Sequence, residues 1–199
     1  MVITSVKSGK KSSILVYIDK EILINVPREI FLKSQLNVGE VLDEKDVEKL
    51  KFDIKVYDAQ KKALNLLSYR AHTKHELFEK IKMKVDENAA KEATDKMEKI
   101  GLINDEKFAF DYVEYLSRTK LYGVRRIRFE LKRKGLSEDI ISKVMNSSKI
   151  DEDASINKII NKKIIRDEKD KKRLIAYLQR FGYEWDKINA AVEHINPSN

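Results

Sequence analysis

Cysteine is absent from this chain of 199 residues, which excludes disulfides, thiolate zinc sites and thiol catalysis together. With no call for an oxidising compartment, the cytoplasm is the expected location. Only two prolines interrupt the chain, and its six glycines include no Gly-rich phosphate loop. Nucleotide binding of the P-loop or dinucleotide kind therefore has no candidate, and no Gly-x-Ser-x-Gly stretch offers a nucleophile elbow. There are three histidines. His72 and His75 flank a helix start, His194 lies in the final turns, and no zinc-hydrolase carboxylate motif accompanies them, so all three read as surface groups. Acidic pairs such as Asp105-Glu106 and Glu138-Asp139 sit at helix starts, where the helix dipole accounts for them. No uninterrupted apolar run is long enough to span a membrane, and the opening MVITSVKSGKKSSILVYID lacks the pattern of a secretory signal. No catalytic residue, metal or cofactor is expected.

What the chain has in quantity is charge and helix-forming sequence: 42% hydrophobic and 37% charged residues, with a net charge of +8. The excess is unevenly spread. Residues 1–62, 63–114, 115–149 and 150–199 carry +2, −2, +7 and +1. Nearly all of it falls in 35 residues, which points to an acidic partner for one part of the molecule.

The first 26 residues contain three β-branched runs, Val2 to Val6, Ile14 to Ile18 and Ile22 to Val26, separated by SGKKS and DKE. They predict a hairpin or three-stranded meander that must lean on something else to be stable. Pro27 ends it, Arg28 to Gln35 is a short helix candidate, Gly39 is a breaker, and Asp43 can cap a helix through Leu50. From about Asp53 the apolar period becomes helical. Thr73-Lys-His-Glu76 reads as a capping box. Phe108, Ala109, Tyr112, Val113 and Leu116 form an apolar stripe behind a start at Asn104 or Asp105, with Gly101 capping the helix before it.

A repeat is visible at an offset of 47: Arg126-Ile127, Leu131, Gly135, Ile141 and Val144 align with Arg173-Leu174, Leu178, Gly182, Ile188 and Ala191. Leu77 and Ile81 match Ile127 and Leu131 at an offset of 50, with Val85 where the glycine would be. The expected fold is mainly α, with three tandem three-helix repeats behind a small β-containing segment. Its expected divisions are 1–52, 53–103, 104–149 and 150–199. No continuous heptad pattern runs through it, so a monomer is expected.

The basic stretch YGVRRIRFELKRKGLSED, residues 122–139, lies in the second repeat. At 100° per residue, Val124, Ile127 and Leu131 cluster on one face of a helix. Arg125, Arg128 and Lys132 share a flank, Arg126 and Arg133 point away from the core, and Phe129 stands among them. One reading makes the arginines a solvated face and packs Phe129 on a neighbouring unit. The other makes the helix a contact for an anionic surface with Phe129 as its anchor. Base reading in the manner of a helix-turn-helix is disfavoured. The following helix, which would enter the groove, begins Ser137-Glu138-Asp139 and contributes only Lys143. Phosphate contact by the basic helix stays open. The candidate surface comprises Arg118, Lys120, Arg125, Arg126, Arg128, Phe129, Lys132, Arg133 and Lys134.

Three stretches in order, ALNLLSYRAHTKHELFEKIKMK, EKIGLINDEKFAFDYV and YGVRRIRFELKRKGLSEDII, resemble the RecX family of recombination regulators. The matching positions are Arg70, Glu76 and Leu77, then Asp105, Phe108 and Ala109, then Gly123, Ile127, Leu131, Lys134, Gly135 and Leu136. The likeness covers residues 57–147 strongly and the third repeat loosely, where Phe181 stands in the place of Lys134. It implies a non-enzymatic protein that lodges on the RecA recombinase filament and restrains ATP hydrolysis and strand exchange. Single- or double-stranded DNA would be a further partner, through phosphate contacts. The rival reading is an independent nucleic-acid-binding module that uses the same basic helix without a recombinase.

Overall fold

In the computed structural model, which describes residues 1–10, 13–193 and 195, the chain forms two compact units. The first holds Met1–Ala71 and Leu77–Ile103; the second holds His72–Glu76 and everything from Asn104 onward. Among the described residues no helix is long and apolar enough to cross a membrane, and no group of three or more His, Asp or Glu could hold a metal ion.

The first unit opens with an antiparallel meander of β1 (Ile3–Ser8), β2 (Ser13–Ile18) and β3 (Ile22–Pro27). Its register pairs Val6 with Val16 and Val16 with Ile24. Alternation puts Ile3, Val16, Ile18, Ile24 and Val26 on a buried face. That face is covered by half-buried Ile30 and Phe31 of α1 (Arg28–Ser34), by Leu36 and Leu42 of the segment after it, and by Val47 and Leu50 at the start of α2 (Glu44–Tyr69). The meander therefore finds the cover it needs in the helices that follow it.

Helix α2 is 26 residues long and runs unbroken through residues 52 and 53, where sequence reading drew a boundary. Asp43 caps it with a reciprocal box through Asp46. Its second half supplies Val56, Ala59 and Ala63 to a second core, with Leu77 and Ile81 of α3 (Lys74–Lys82) and Ala89, Ala90, Ala93 and Met97 of α4 (Glu87–Lys99). Alanines at the α2–α4 contact let the two backbones approach closely.

The second unit contains two three-helix repeats. One is α5 (Asp105–Arg118), α6 (Val124–Arg133) and α7 (Glu138–Ser147); the other is α8 (Glu152–Ile160), α9 (Glu168–Arg180) and α10 (Trp185–Val192). Each has its own core, built on Ile127 and Leu131 in the first case and Leu174 and Leu178 in the second. Asn104 and Ser137 cap α5 and α7 as expected. Gly135 (φ 73°) and Gly182 (φ 88°) adopt the left-handed conformation that closes α6 and α9. Val85, at the corresponding place after α3, has no positive φ; that turn is built differently.

The two repeats meet through backbone. The Gly123 N–H donates to the Phe181 carbonyl at 2.8 Å. A Cβ on Gly123 would stand 2.5 Å from the Gly182 oxygen, so only glycine allows this approach. The Tyr183 hydroxyl donates to the Leu121 carbonyl at 2.7 Å, bracing a leucine held at φ 54°.

Of the three histidines expected at the surface, His75 is exposed and His72 is buried, 4% exposed. His194 lies outside the described residues. The Thr73 hydroxyl accepts from the Glu76 N–H, as the capping box requires, and donates to the Lys134 carbonyl at 2.7 Å.

Candidate partner-binding surface

Helix α6 carries most of the predicted surface. Its N-cap, Gly123, has no side chain to receive the first orphan amides. The acceptor comes from 28 residues downstream: Oε1 of Glu152, at the start of α8, takes the Val124 N–H at 2.8 Å. Glu152 is 5% exposed, and its other oxygen meets the Lys187 ammonium at 2.8 Å. That bond holds the lysine above its ordinary pKa. The basic helix is thus anchored at its N-terminus by the third repeat.

Along α6, Ile127 and Leu131 are fully buried, as the helical period requires. Glu130 is buried as well, 2% exposed, which the period alone does not suggest. Its Oε1 lies 2.7 Å from Nη2 of Arg126, and its Oε2 lies 2.7 Å from Nη2 of Arg133. The second contact is a charge pair only, since no hydrogen bond reaches Oε2. One buried carboxylate therefore fixes two guanidinium groups, those of Arg126 and Arg133. The Arg126 guanidinium sits 5.2 Å from the Phe129 ring centroid and 5.6 Å from that of Tyr122, and its backbone lies against Gly182. Arg126 points away from its own repeat's core, as expected, but it is packed at the seam with the next repeat instead of standing free.

Phe129 does not pack away on a neighbouring unit. It is 54% exposed, and the Arg126 guanidinium lies beside its ring. Exposing a phenylalanine costs burial energy that the fold could otherwise use, and the guanidinium beside its ring, that of Arg126, is held in place by Glu130.

The remaining predicted residues divide into groups. Arg128 and Lys132 both reach Glu138 at the start of α7, at 3.7 and 2.9 Å. The Lys132 hydrogen bond, aided by the Arg128 charge, lowers the pKa of the Glu138 carboxyl. Lys134 pairs with Glu76 at 3.0 Å and lies 5.6 Å from the Tyr112 ring, away from Phe129 in its partners. Arg118 pairs with Glu114 at 2.7 Å. Lys120 stands 5.5 Å from the Tyr115 ring, and its bond to the Tyr115 hydroxyl raises its pKa. Arg125 is exposed and has no carboxylate partner among the described residues.

Sequence reasoning missed Glu130, Glu138, Glu152 and Tyr122 as parts of this surface. The first was open to detection, because Arg126 and Arg133 lie four residues before and three after Glu130, the spacings at which helical side chains meet. Glu152 gave no such signal, since its partner is tertiary.

Two family descriptions match the chain: "RecX, first three-helix domain" over residues 59–97, and "RecX, second three-helix domain" over residues 104–145. Among curated proteins, a regulatory protein RecX of Listeria monocytogenes is 34% identical over 142 residues, covering 71% of this chain and 53% of its own. The chain thus spans about half of that relative. A regulatory protein RecX of Clostridium perfringens is 28% identical over 204 residues, covering 97% of this chain and 95% of its own. The solved structure of a regulatory protein RecX superposes with a TM-score of 0.74 at 22% identity over 98% of both chains. The RecX of Lactobacillus salivarius does so at 0.60 and 21%, over 70% of this chain and 95% of its own. These two structures share the three-helix-repeat fold. The relatives' common name supports a regulatory role, and two matched three-helix domains with relatives along the whole chain establish that this chain belongs to the RecX family.

Proposed function

We propose that this protein is a non-enzymatic modulator of the RecA recombinase that docks on the RecA–DNA filament and restrains its ATP hydrolysis and strand exchange. The observation that carries the reading is Phe129, 54% exposed beside the Arg126 guanidinium, which a buried carboxylate clamps together with that of Arg133. Such an aromatic anchor with ordered guanidinium neighbours is the composition of a protein-docking hot spot. Arginine held in a fixed fork suits carboxylates of a protein surface as well as phosphates. Repeats that each offer their own surface can engage more than one protomer of a filament, so that several weak contacts add through avidity.

The test is single-stranded-DNA-dependent ATP hydrolysis by a cognate RecA, titrated with this protein and with variants Phe129→Ala and Arg125→Ala/Arg133→Ala. Inhibition at less than one molecule per recombinase, shifted at least about tenfold by Phe129→Ala, is the expected result. Inhibition that neither variant weakens would move the docking surface away from α6. If ATP hydrolysis falls only at concentrations that cover the DNA with this protein, the independent DNA-binding reading replaces the proposal.

A further inference from the structure

The third repeat has a charge asymmetry of its own. Between Lys162 and Arg180 there are eight basic and three acidic residues, a net of +5, offset by acids on both sides of that stretch. This stretch forms the loop after α8 and the whole of α9, and it borders a cleft of about 390 Å³. The cleft is lined by buried Leu174 and half-buried Ile165 and Tyr177, with Lys163, Arg173 and Arg180 as its cations. Asp170 is the acid on it, already engaged by Arg173 at 3.2 Å and by the Arg166 N–H at 3.2 Å. Lys163 and Arg180 have no carboxylate partner among the described residues. Ile164, at the cleft edge, is 78% exposed.

We propose that this cleft is a second docking site, separate from α6, for an acidic amphipathic helix that inserts one large apolar side chain. The volume lies in the range of pockets that enclose a small ligand, about 300–1,000 Å³. The apolar lining and Ile164 offer contact to an apolar group. Arg173 and Arg180 are seven residues apart on one face of α9, about 10 Å along its axis. Carboxylates seven residues apart on a partner helix have the same spacing, with the apolar residue between them.

A nucleic acid is the less suitable occupant. Sequence-tolerant binding of single strands relies on open aromatic faces for base stacking. Here Phe181 stacks on Tyr177 at 4.1 Å, and the Lys163 and Arg180 cations lie over the same Tyr177 ring at 4.7 and 5.5 Å. The ring is occupied by its own neighbours, and the apolar lining has no use for phosphate.

The experiment uses the full chain and a fluorescein-labelled synthetic helical peptide with Glu at positions i and i+7 and Leu at i+3 and i+4. A control peptide replaces both Leu by Ser, and a labelled 20-nucleotide oligo-dT forms the other arm. Anisotropy titrations compare the parent with Arg180→Glu and Ile164→Ser, two exposed positions whose helix content and melting are checked alongside. Binding of the Leu peptide, at least about tenfold tighter than the Ser peptide and weakened about tenfold by Arg180→Glu and severalfold by Ile164→Ser, is expected. Equal binding of the two peptides would overturn the site as plain charge attraction. No binding of the Leu peptide, or oligo-dT bound with a loss in Arg180→Glu that the peptide does not share, would overturn it too.

Discussion

Glu152 is the residue whose loss should reveal how the basic helix is held. It lies in the third repeat, 5% exposed, yet caps the N-terminus of α6 in the second. Replacing it by Ala removes the acceptor of the Val124 N–H, a loss of about 1 kcal/mol for an N-cap. It also removes a carboxylate beside the positive end of the helix dipole, about 0.5–1 kcal/mol more. Lys187 keeps 40% of its side chain in solvent and can rehydrate, so stranding it adds little. The expected cost of Glu152→Ala is about 2 kcal/mol. Glu152→Gln keeps an oxygen for the amide and gives up the charge, which should cost about 1 kcal/mol.

Urea unfolding read from Trp185, the single tryptophan and the first residue of α10, reports on this unit. With a slope of about 2 kcal/mol per molar, the alanine variant should unfold about 1 M earlier and the glutamine variant about half as much. An unchanged midpoint for Glu152→Ala would refute the reasoning. So would a glutamine variant as damaged as the alanine one, because the retained acceptor would then count for nothing.

Glu138 competes with any anionic partner for Arg128 and Lys132, so Glu138→Gln should tighten filament binding about two- to fivefold in a titration of ATPase inhibition. Burial pushes the Tyr183 hydroxyl well above the ordinary tyrosine value. A group with a raised folded pKa lends stability that is complete below its unfolded value, about 10, and is lost as pH rises beyond it; unfolding free energy should fall above about pH 10, and Tyr183→Phe should flatten that limb. If the α6 surface meets DNA at all, internally paired cations should release few counterions, giving a log–log salt slope of about −2; a slope of about −6 from the same titration would mean that the carboxylates let go.

How much of this was legible in the sequence depends on whether the relevant partner is near in the chain. The meander was, because its β-branched runs and the SGKKS and DKE breaks between them lie within a few residues of one another. So were the caps at Asp43, Asn104, Ser137 and Gly135, which act over three or four residues. The boundary near residue 52 came from a change in apolar period, but nothing between Leu50 and Ile54 breaks a helix, and α2 continues. The +5 of α9 and its preceding loop vanished into the +1 of residues 150–199, because a sum over a whole repeat averages over faces that point in different directions.

The same limitation applies to the candidate surface. A helical wheel placed the cations of α6 correctly about the axis and left out what opposes them. Glu130 takes Arg126 and Arg133, Glu138 takes Arg128 and Lys132, Glu114 takes Arg118, and Glu76 takes Lys134. Of the predicted basic residues, Arg125 and Lys120 have no carboxylate partner among those described. The segment's +7 already counts Glu130 and Glu138; Glu114 and Glu76, from outside residues 115–149, offset two more of its charges and weaken its field at a distance. What remains is short-range: guanidinium groups ordered by a buried carboxylate, one of them beside a ring that the fold leaves in water. A diffuse basic patch favours any polyanion in proportion to its charge. A fixed pair of cations with an exposed aromatic ring beside one of them favours the partner whose carboxylates and apolar groove match its spacing, and that preference is the physical content of reading α6 as a protein-docking face.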